Sequence, residues 1–346
     1  MAEIRLEHLT KDFGALVAVN DLTLTVDDGS FIALLGPSGC GKTTTMNMIS
    51  GLEKPTGGEI YFDDRAMSRV EPGERNVGFV FQNYAIFTHM RVYDNLAFGL
   101  RVRKPKPSKE EIDREVRRVA EIVGVERALQ RKAGRLSVND MQKVALGRSM
   151  IVEPAIFLLD EPFSNLDAAF RAYMRAVLKR IQSEVGQTMV YVTHDQVEAM
   201  SMADRIAVMN LGVLKQYGTP DEIYNAPENR FVAGFVGSTQ MNFLPAAELP
   251  VDLPPAARNG RAVTVGIRPE SLSLVAPDSS EAVLKAKVNL VEPLGATDVV
   301  HVTLDEHDVR VLASPGLRPR IGESVGIALD QGRIHLFDDE TGEAIR

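Results

Sequence analysis

The residues best suited to chemistry begin at Gly36-Pro-Ser-Gly-Cys-Gly-Lys-Thr43, which fits the spacing G-x-x-x-x-G-K-[ST]. Gly36, Gly39 and Gly41 free the backbone so that its N–H groups can converge on phosphate oxygens, with Pro37, Ser38 and Cys40 completing the loop. A helix opening just after the loop adds positive potential at its N-terminus. Lys42 would then reach the β- and γ-phosphates, Thr43 would hold Mg²⁺ through its hydroxyl, and Thr44 would line the same cradle. Further on, Leu158-Leu-Asp-Glu161 ends an apolar run in two acids. Asp160 suits Mg²⁺, directly or through water, and Glu161 suits polarising an attacking water. Together these are the parts of a site that binds and hydrolyses ATP. Cys40 lies inside the loop, so its alkylation is expected to block nucleotide binding.

Such a site needs strands that end where the loops begin. Phe31-Ile-Ala-Leu-Leu35, Ala155-Ile-Phe-Leu-Leu159 and Met189-Val-Tyr-Val-Thr193 are short apolar runs that read as buried strands. A helical stretch separates the last two, which predicts a parallel α/β sheet. Lys104-Pro-Lys-Pro107 cannot be helix interior and marks a loop. Ser108 then offers an N-cap, and Glu111 closes a capping box. Ile112, Val116, Val119 and Val123 follow at helical spacing on one apolar face, and Gly124 is the expected stop. After about residue 235 the texture changes. Asn242 to Asn259 is rich in Pro and Ala and reads as a linker. Alternating runs at Ala262–Gly266, Lys285–Leu290 and Val299–Thr303 then predict a small β domain.

Composition sets the outer bounds. The chain has 346 residues, 45% hydrophobic and 25% charged, the balance of a folded protein, and the length suits two or three domains. One cysteine excludes a disulfide scaffold or a cysteine-built zinc site and fits a reducing compartment. No apolar stretch approaches the roughly 18–20 residues of a membrane span, and no signal-peptide core is visible at the N-terminus. The chain is therefore expected not to cross a membrane by itself. Formal net charge is −8, and residues 236–346 carry 10 basic against 16 acidic side chains. Nucleic acid is accordingly not expected as the main partner.

These strings carry a family resemblance over nearly the whole length. The chain resembles the ATPase subunits of ATP-binding-cassette (ABC) transporters, specifically the carbohydrate-uptake type with an appended C-terminal β domain. The fold implied is a P-loop NTPase α/β cassette with a parallel core sheet over residues 1–235, including a helical subdomain at about 83–150. A small OB-like β domain serving regulation and dimer contacts would follow over 236–346. Phe13 in Lys-Asp-Phe-Gly14 matches the aromatic that stacks on adenine, where Tyr is more usual. Gln82 in Val80-Phe-Gln-Asn-Tyr84 matches the Q-loop glutamine, which senses Mg²⁺ and water. Ser164-Asn-Leu-Asp167 matches the D-loop, with Asp167 near a dimer interface. His194 in Val192-Thr-His-Asp-Gln196 matches the switch histidine that contacts the γ-phosphate. Gly266-Ile-Arg-Pro-Glu270 and Ile334-His-Leu-Phe-Asp338 are similar to strings of the C-terminal domain.

One motif departs from the family. Its signature is Leu-Ser-Gly-Gly-Gln, and this chain has Leu136-Ser-Val-Asn-Asp140. In the family two ATPases close head to tail, and each signature completes the ATP site of the opposite subunit. Val138 puts a β-branched side chain where backbone N–H groups must approach phosphate, and Asp140 adds a carboxylate near a polyanion. Ser137 remains as a hydrogen-bond donor. The half of the site made by the phosphate loop and the strand-end acids looks competent while the signature half looks impaired, which implies pairing with a second, different ATPase; a homodimer with two slow sites is the alternative.

The resemblance implies an ATPase on the cytoplasmic face of the membrane, energising two transmembrane permease subunits fed by an extracytoplasmic solute-binding protein. The segment Asn83–Met90 would meet a permease helix. An ATP-binding regulatory subunit with little hydrolysis is one alternative. A soluble cassette ATPase outside transport is another, although those usually join two cassettes or carry long insertions.

Overall fold

Four adjacent parallel strands, three of them buried along their whole length, decide where the chemistry sits. The structure, a computed structural model, describes residues 2–164, 166–251, 253–257 and 262–346. Its central six-stranded sheet runs, edge to edge, Val213–Gly218, Arg205–Asn210, Phe31–Leu35, Thr188–Thr193, Ile156–Asp160, Val77–Val80. The first strand is antiparallel to its neighbour and the other pairings are parallel. Register sets Leu35 beside Thr193, Asp160 beside Val192, and Val80 beside Leu159. Every residue of Phe31–Leu35, Ile156–Asp160 and Thr188–Thr193 is buried, as expected for strands covered on both faces. The loops that follow the four adjacent strands therefore leave from one end of the sheet, where open α/β sheets bind their ligands.

A second, antiparallel sheet orders Val17–Val26, Ile4–Asp12, Gly57–Phe62 and Arg65–Ala66. Ile4, Leu6 and Leu9 point into one core with Ile32, Leu34 and Met46. On the other side of the central sheet, helices Val92–Val102, Lys109–Val123 and Val138–Met150 share a core with Phe157, Leu159 and Tyr191. The middle helix matches its sequence reading. Ser108 Oγ accepts from the Glu111 N–H, Glu111 reaches back to the Ser108 N–H, and Gly124 ends the helix in the left-handed region. Ile112, Val116, Val119 and Val123 are all buried, and the capping contacts are worth on the order of 1 kcal/mol.

Contacts divide the chain at Pro220/Asp221, earlier than the expected 235/236. The reason is Arg268, from the Gly266–Glu270 string. Its guanidinium lies over the Tyr224 ring at 4.0 Å and donates to the carbonyls of Tyr224, Ala233 and Val236. Those residues belong to or border the short helices Pro220–Asn225 and Arg230–Phe235, so the two helices group with the second unit.

That unit holds two antiparallel sheets. One orders Asn242–Pro245, Val263–Ile267, Ile334–Asp338, Ala344–Ile345; the other orders Leu272–Val275, Ser324–Leu329, Leu284–Pro293, Asp298–Leu304, His307–Ala313. The alternating runs read from sequence are thus strands. The expected linker is corrected. Asn242–Pro245 is an edge strand, Leu244, Ala246 and Leu249 are buried in the domain core, and the Asn242 side chain exchanges two 2.8 Å hydrogen bonds with the Arg310 backbone. Pro and Ala misled because Pro245 ends an edge strand, where no ladder N–H is needed. Asp252, Arg258 and Asn259 of that stretch lie outside the described residues.

Candidate functional site

The phosphate loop joins the strand Phe31–Leu35 to the helix Lys42–Ser50. Two of its glycines are dictated by close backbone approach. A Cβ on Gly36 would meet the Met209 carbonyl oxygen at 2.3 Å, and one on Gly41 would meet that of Ala18 at 2.3 Å. Gly41 also adopts φ +99° as the N-cap, so the helix begins without a side-chain cap and its first N–H groups stay free for an anion. Ser38, Gly39 and Thr43 are exposed, Pro37 and Thr44 half-buried. The Lys42 ammonium is buried, donating to the carbonyls of Gly36 at 2.8 Å and Pro37 at 2.9 Å. Engaging a phosphate therefore exchanges loop carbonyls for phosphate oxygens.

Cys40 is only 2% exposed, with its thiol 3.7 Å from Lys42 Nζ. The alkylation expectation acquires a kinetic side. Alkylation should be slow on the native protein, and each modified molecule should lose ATP binding, because an adduct has no room beside Lys42. Mass spectrometry against a nucleotide-binding assay checks this; a modified protein that binds ATP normally would refute it.

Across the loop, Thr43 Oγ1 donates to Asp160 Oδ1 at 3.2 Å. Burial raises the Asp160 carboxyl above its usual range, helped by Glu161, while the Thr43 bond and Lys42 oppose the rise. Two hard oxygen donors, a hydroxyl and a carboxylate, meeting beside the phosphate loop suit Mg²⁺. Sign follows from linkage. A carboxyl raised in the folded state contributes stability below its unfolded value of 3.8, and that contribution is lost as pH rises through the folded value. Asp160→Asn should thus raise the melting temperature of the nucleotide-free protein at neutral pH, and the gain should shrink towards pH 4. Thermal melts across pH check it, and a lower melting temperature at pH 7 would count against it.

The centre of the site is Glu161. Its backbone takes φ +43°, unusual for a residue with a side chain. The geometry is held by its N–H donating to the Val192 carbonyl at 3.0 Å and its own carbonyl accepting from Ser164 N and Oγ at 3.2 and 3.1 Å. The bend turns the carboxylate towards two partners. His194 Nδ1 lies 3.1 Å from Glu161 Oε1, and Gln82 Nε2 donates to Oε2 at 3.4 Å. Three candidates from three different strand ends thus gather on one carboxyl group.

The remaining candidates sit apart from that group. Phe13 is 54% exposed just past the strand Ile4–Asp12, with Lys11 Nζ 4.8 Å from its ring centre, so it is no core residue and its ring is accessible for stacking. Asp167 caps the helix Ala168–Val185, accepting from Phe170 N at 2.9 Å; that bond, with a smaller contribution from the Asn139 amide, lowers its carboxyl. Asn165 of the same segment lies outside the described residues. Ser137 caps the helix Val138–Met150, accepting from Asp140 N at 3.1 Å and keeping its hydroxyl proton to donate elsewhere; Val138 beside it is exposed. One supporting residue was not anticipated. Arg148 donates to the Ala85 carbonyl and lies over the Phe87 ring at 4.5 Å, pinning the segment after Gln82 to the helix. An arginine late in a helix gave no sequence signal for this.

Among the described residues, no helix is long and apolar enough to cross a membrane. Residues 19–164 match the ABC transporter family, and residues 265–337 match the TOBE domain. The chain is 46% identical to the trehalose/maltose import ATP-binding protein MalK of Thermococcus litoralis, over the full length of both. It is 44% identical to the sn-glycerol-3-phosphate import ATP-binding protein UgpC of Ruegeria pomeroyi, over 100% of this chain and 99% of that one. Among solved structures it is similar to the dimeric, ADP- and Pi-bound post-hydrolysis state of the ATP-binding cassette MJ0796, with TM-score 0.58, 29% identity, and coverage of 63% of this chain and 98% of that one. Phosphate loop, strand-end acids, full-length relatives and TOBE match agree: the chain belongs to the ATP-binding-cassette transporter family, as an ATP-binding subunit with a C-terminal TOBE domain.

Proposed function

We propose that the chain is the ATP-hydrolysing subunit of an ABC importer for a sugar, polyol or related solute. The observation that carries this reading is the Glu161 carboxylate, held between His194 at 3.1 Å and Gln82 at 3.4 Å at the strand ends beside the phosphate loop. The relatives, named for trehalose/maltose and sn-glycerol-3-phosphate import, support the solute class. Glu161 orients the water for in-line attack on the γ-phosphate, His194 contacts that phosphate, and Lys42 stabilises the charge that develops. Phe13 stacks on adenine. Thr43 and Asp160, with Gln82 nearby, would hold Mg²⁺, which when bound neutralises charge on the β- and γ-oxygens.

The subunit works as a peripheral protein on the cytoplasmic face, docked to two permease subunits, with a separate solute-binding protein delivering the cargo. The altered signature, Val138-Asn139-Asp140, favours a second, non-identical ATPase whose intact signature completes this chain's phosphate site. The test is a mild-detergent pull-down of the tagged subunit from its native membranes, with partners identified by mass spectrometry. Permeases together with a different cassette ATPase are expected. Permeases with this chain alone would replace the asymmetric pair by a homodimer, and recovery without any permease would overturn the importer reading.

A further inference from the structure

Next to His194 in the chain lies a charged cluster built on one buried carboxylate, which the phosphate loop and Glu161 do not use. Glu198, 4% exposed in the helix Gln196–Met202, accepts at Oε2 from Tyr191 OH at 2.6 Å and from Thr193 Oγ1 at 2.7 Å. Thr193 Oγ1 in turn accepts from the Asp195 N–H at 2.9 Å, and Asp195 Oδ1 caps the helix through the N–H groups of Val197 and Glu198. Arg171, from the helix Ala168–Val185, places Nη1 3.0 Å from Asp195 Oδ2 and donates from Nη2 to the Leu166 carbonyl at 3.2 Å. Its Nε stands 3.8 Å from Glu198 Oε1, buried and without a hydrogen-bond partner among the described residues.

A carboxylate this deep is costly unless paired and fully hydrogen-bonded. What the cost secures is local and specific. The cluster fixes the peptide on both sides of His194, Thr193 before it and Asp195 after it. It also has slack, because bringing Arg171 Nε to hydrogen-bond distance of Glu198 takes a movement of under about 1 Å. The same guanidinium holds Leu166, next to Asp167. Resting on the reading of His194 as the γ-phosphate contact, we propose that Glu198 and Arg171 are positioning residues for His194, and that Arg171 ties Leu166 to the histidine's orientation. A shift of Leu166 moves the guanidinium, and the guanidinium carries Asp195 and the histidine with it.

The experiment is a double-mutant cycle on the full-length chain within the complex purified from its native membranes, measuring ATPase kcat and KM for the unaltered protein, Glu198→Gln, His194→Ala and both together. Glu198→Gln keeps an oxygen for Tyr191 and Thr193 but turns an amide towards Arg171. It should lower kcat about tenfold with KM for ATP little changed. In the His194→Ala background it should cost nothing further, because a residue acting only through the histidine has nothing left to position. The same tenfold loss in both backgrounds, or no loss in either, overturns the positioning role alone. A purified complex, with its cassette partner present, that does not hydrolyse ATP, or a His194→Ala variant as fast as the unaltered one, overturns the functional reading and this inference together. Should Glu198→Gln fold poorly, Thr193→Val and Thr193→Ser serve in its place. The valine should repeat the loss and the serine should restore most of the rate; equal losses from both would overturn the proposal.

Discussion

A Glu161→Gln variant should bind ATP as well as the unaltered chain and hydrolyse it about 10²–10³-fold more slowly. The substitution is isosteric, so the φ +43° bend and its bonds to Val192 and Ser164, all made by backbone atoms of residue 161, remain. What changes is the group presented between His194 and Gln82. A carboxylate accepts at both oxygens and can take a proton from water. An amide accepts at one atom only, and its NH₂ must face either a histidine nitrogen or the Gln82 NH₂. Removing a negative charge from beside the phosphate loop also eases the approach of a polyanion. ATP should therefore be retained, and the nucleotide recovered from the variant after incubation should still be ATP and not ADP. Rapid turnover by the variant would remove Glu161 from its role and leave the surrounding geometry without a chemical purpose.

The candidate site was legible as a set of strings because each part is short and sits at the end of an apolar run. Gly36–Thr43, Leu158–Glu161 and Val192–Gln196 each combine strand residues with the polar groups that must follow them, so residue type and placement arrive together. Ser108, Glu111 and the four apolar residues after them are equally local, and that helix appears as read. Long-range bonds were not legible. Arg148 reaches the Ala85 carbonyl 63 residues away, Arg268 reaches the Tyr224 carbonyl 44 residues away, and Arg171 reaches Asp195 across 24. An arginine's spacing in sequence says nothing about where its long side chain finds a carbonyl or carboxylate. The stretch from Asn242 failed for a related reason. Its Pro and Ala content masked the widely spaced Leu244, Ala246 and Leu249, whose burial depends on strands far downstream.

Replacing Val138→Gly, Asn139→Gly and Asp140→Gln together should raise ATPase turnover of the chain about tenfold or more. Residues 138–140 form the first turn of the helix capped by Ser137, where N–H groups have no partner within the helix. The Val138 and Asn139 donors are the ones a γ-phosphate across a head-to-tail interface would use, since the Asp140 N–H is taken by Ser137 Oγ. Val138 stands exposed in front of them and Asp140 sets a carboxylate beside them. Glycine at 138 and 139 removes the bulk, and it also frees Asp167 from the Asn139 amide. The direction of the stability change separates this account from a trivial one. Two glycines at a helix start lose on the order of 1 kcal/mol, Asp140→Gln gives up a favourable charge at the positive helix end, and a Ser-x-x-Gln capping box recovers only part of that. The variant should therefore melt at the same temperature or slightly lower while turning over faster, a pairing that better folding cannot produce. An unchanged rate would mean that Val138 and Asp140 do not limit turnover. The case for a second ATPase with an intact signature would then lose its physical basis, and two copies of this chain would suffice.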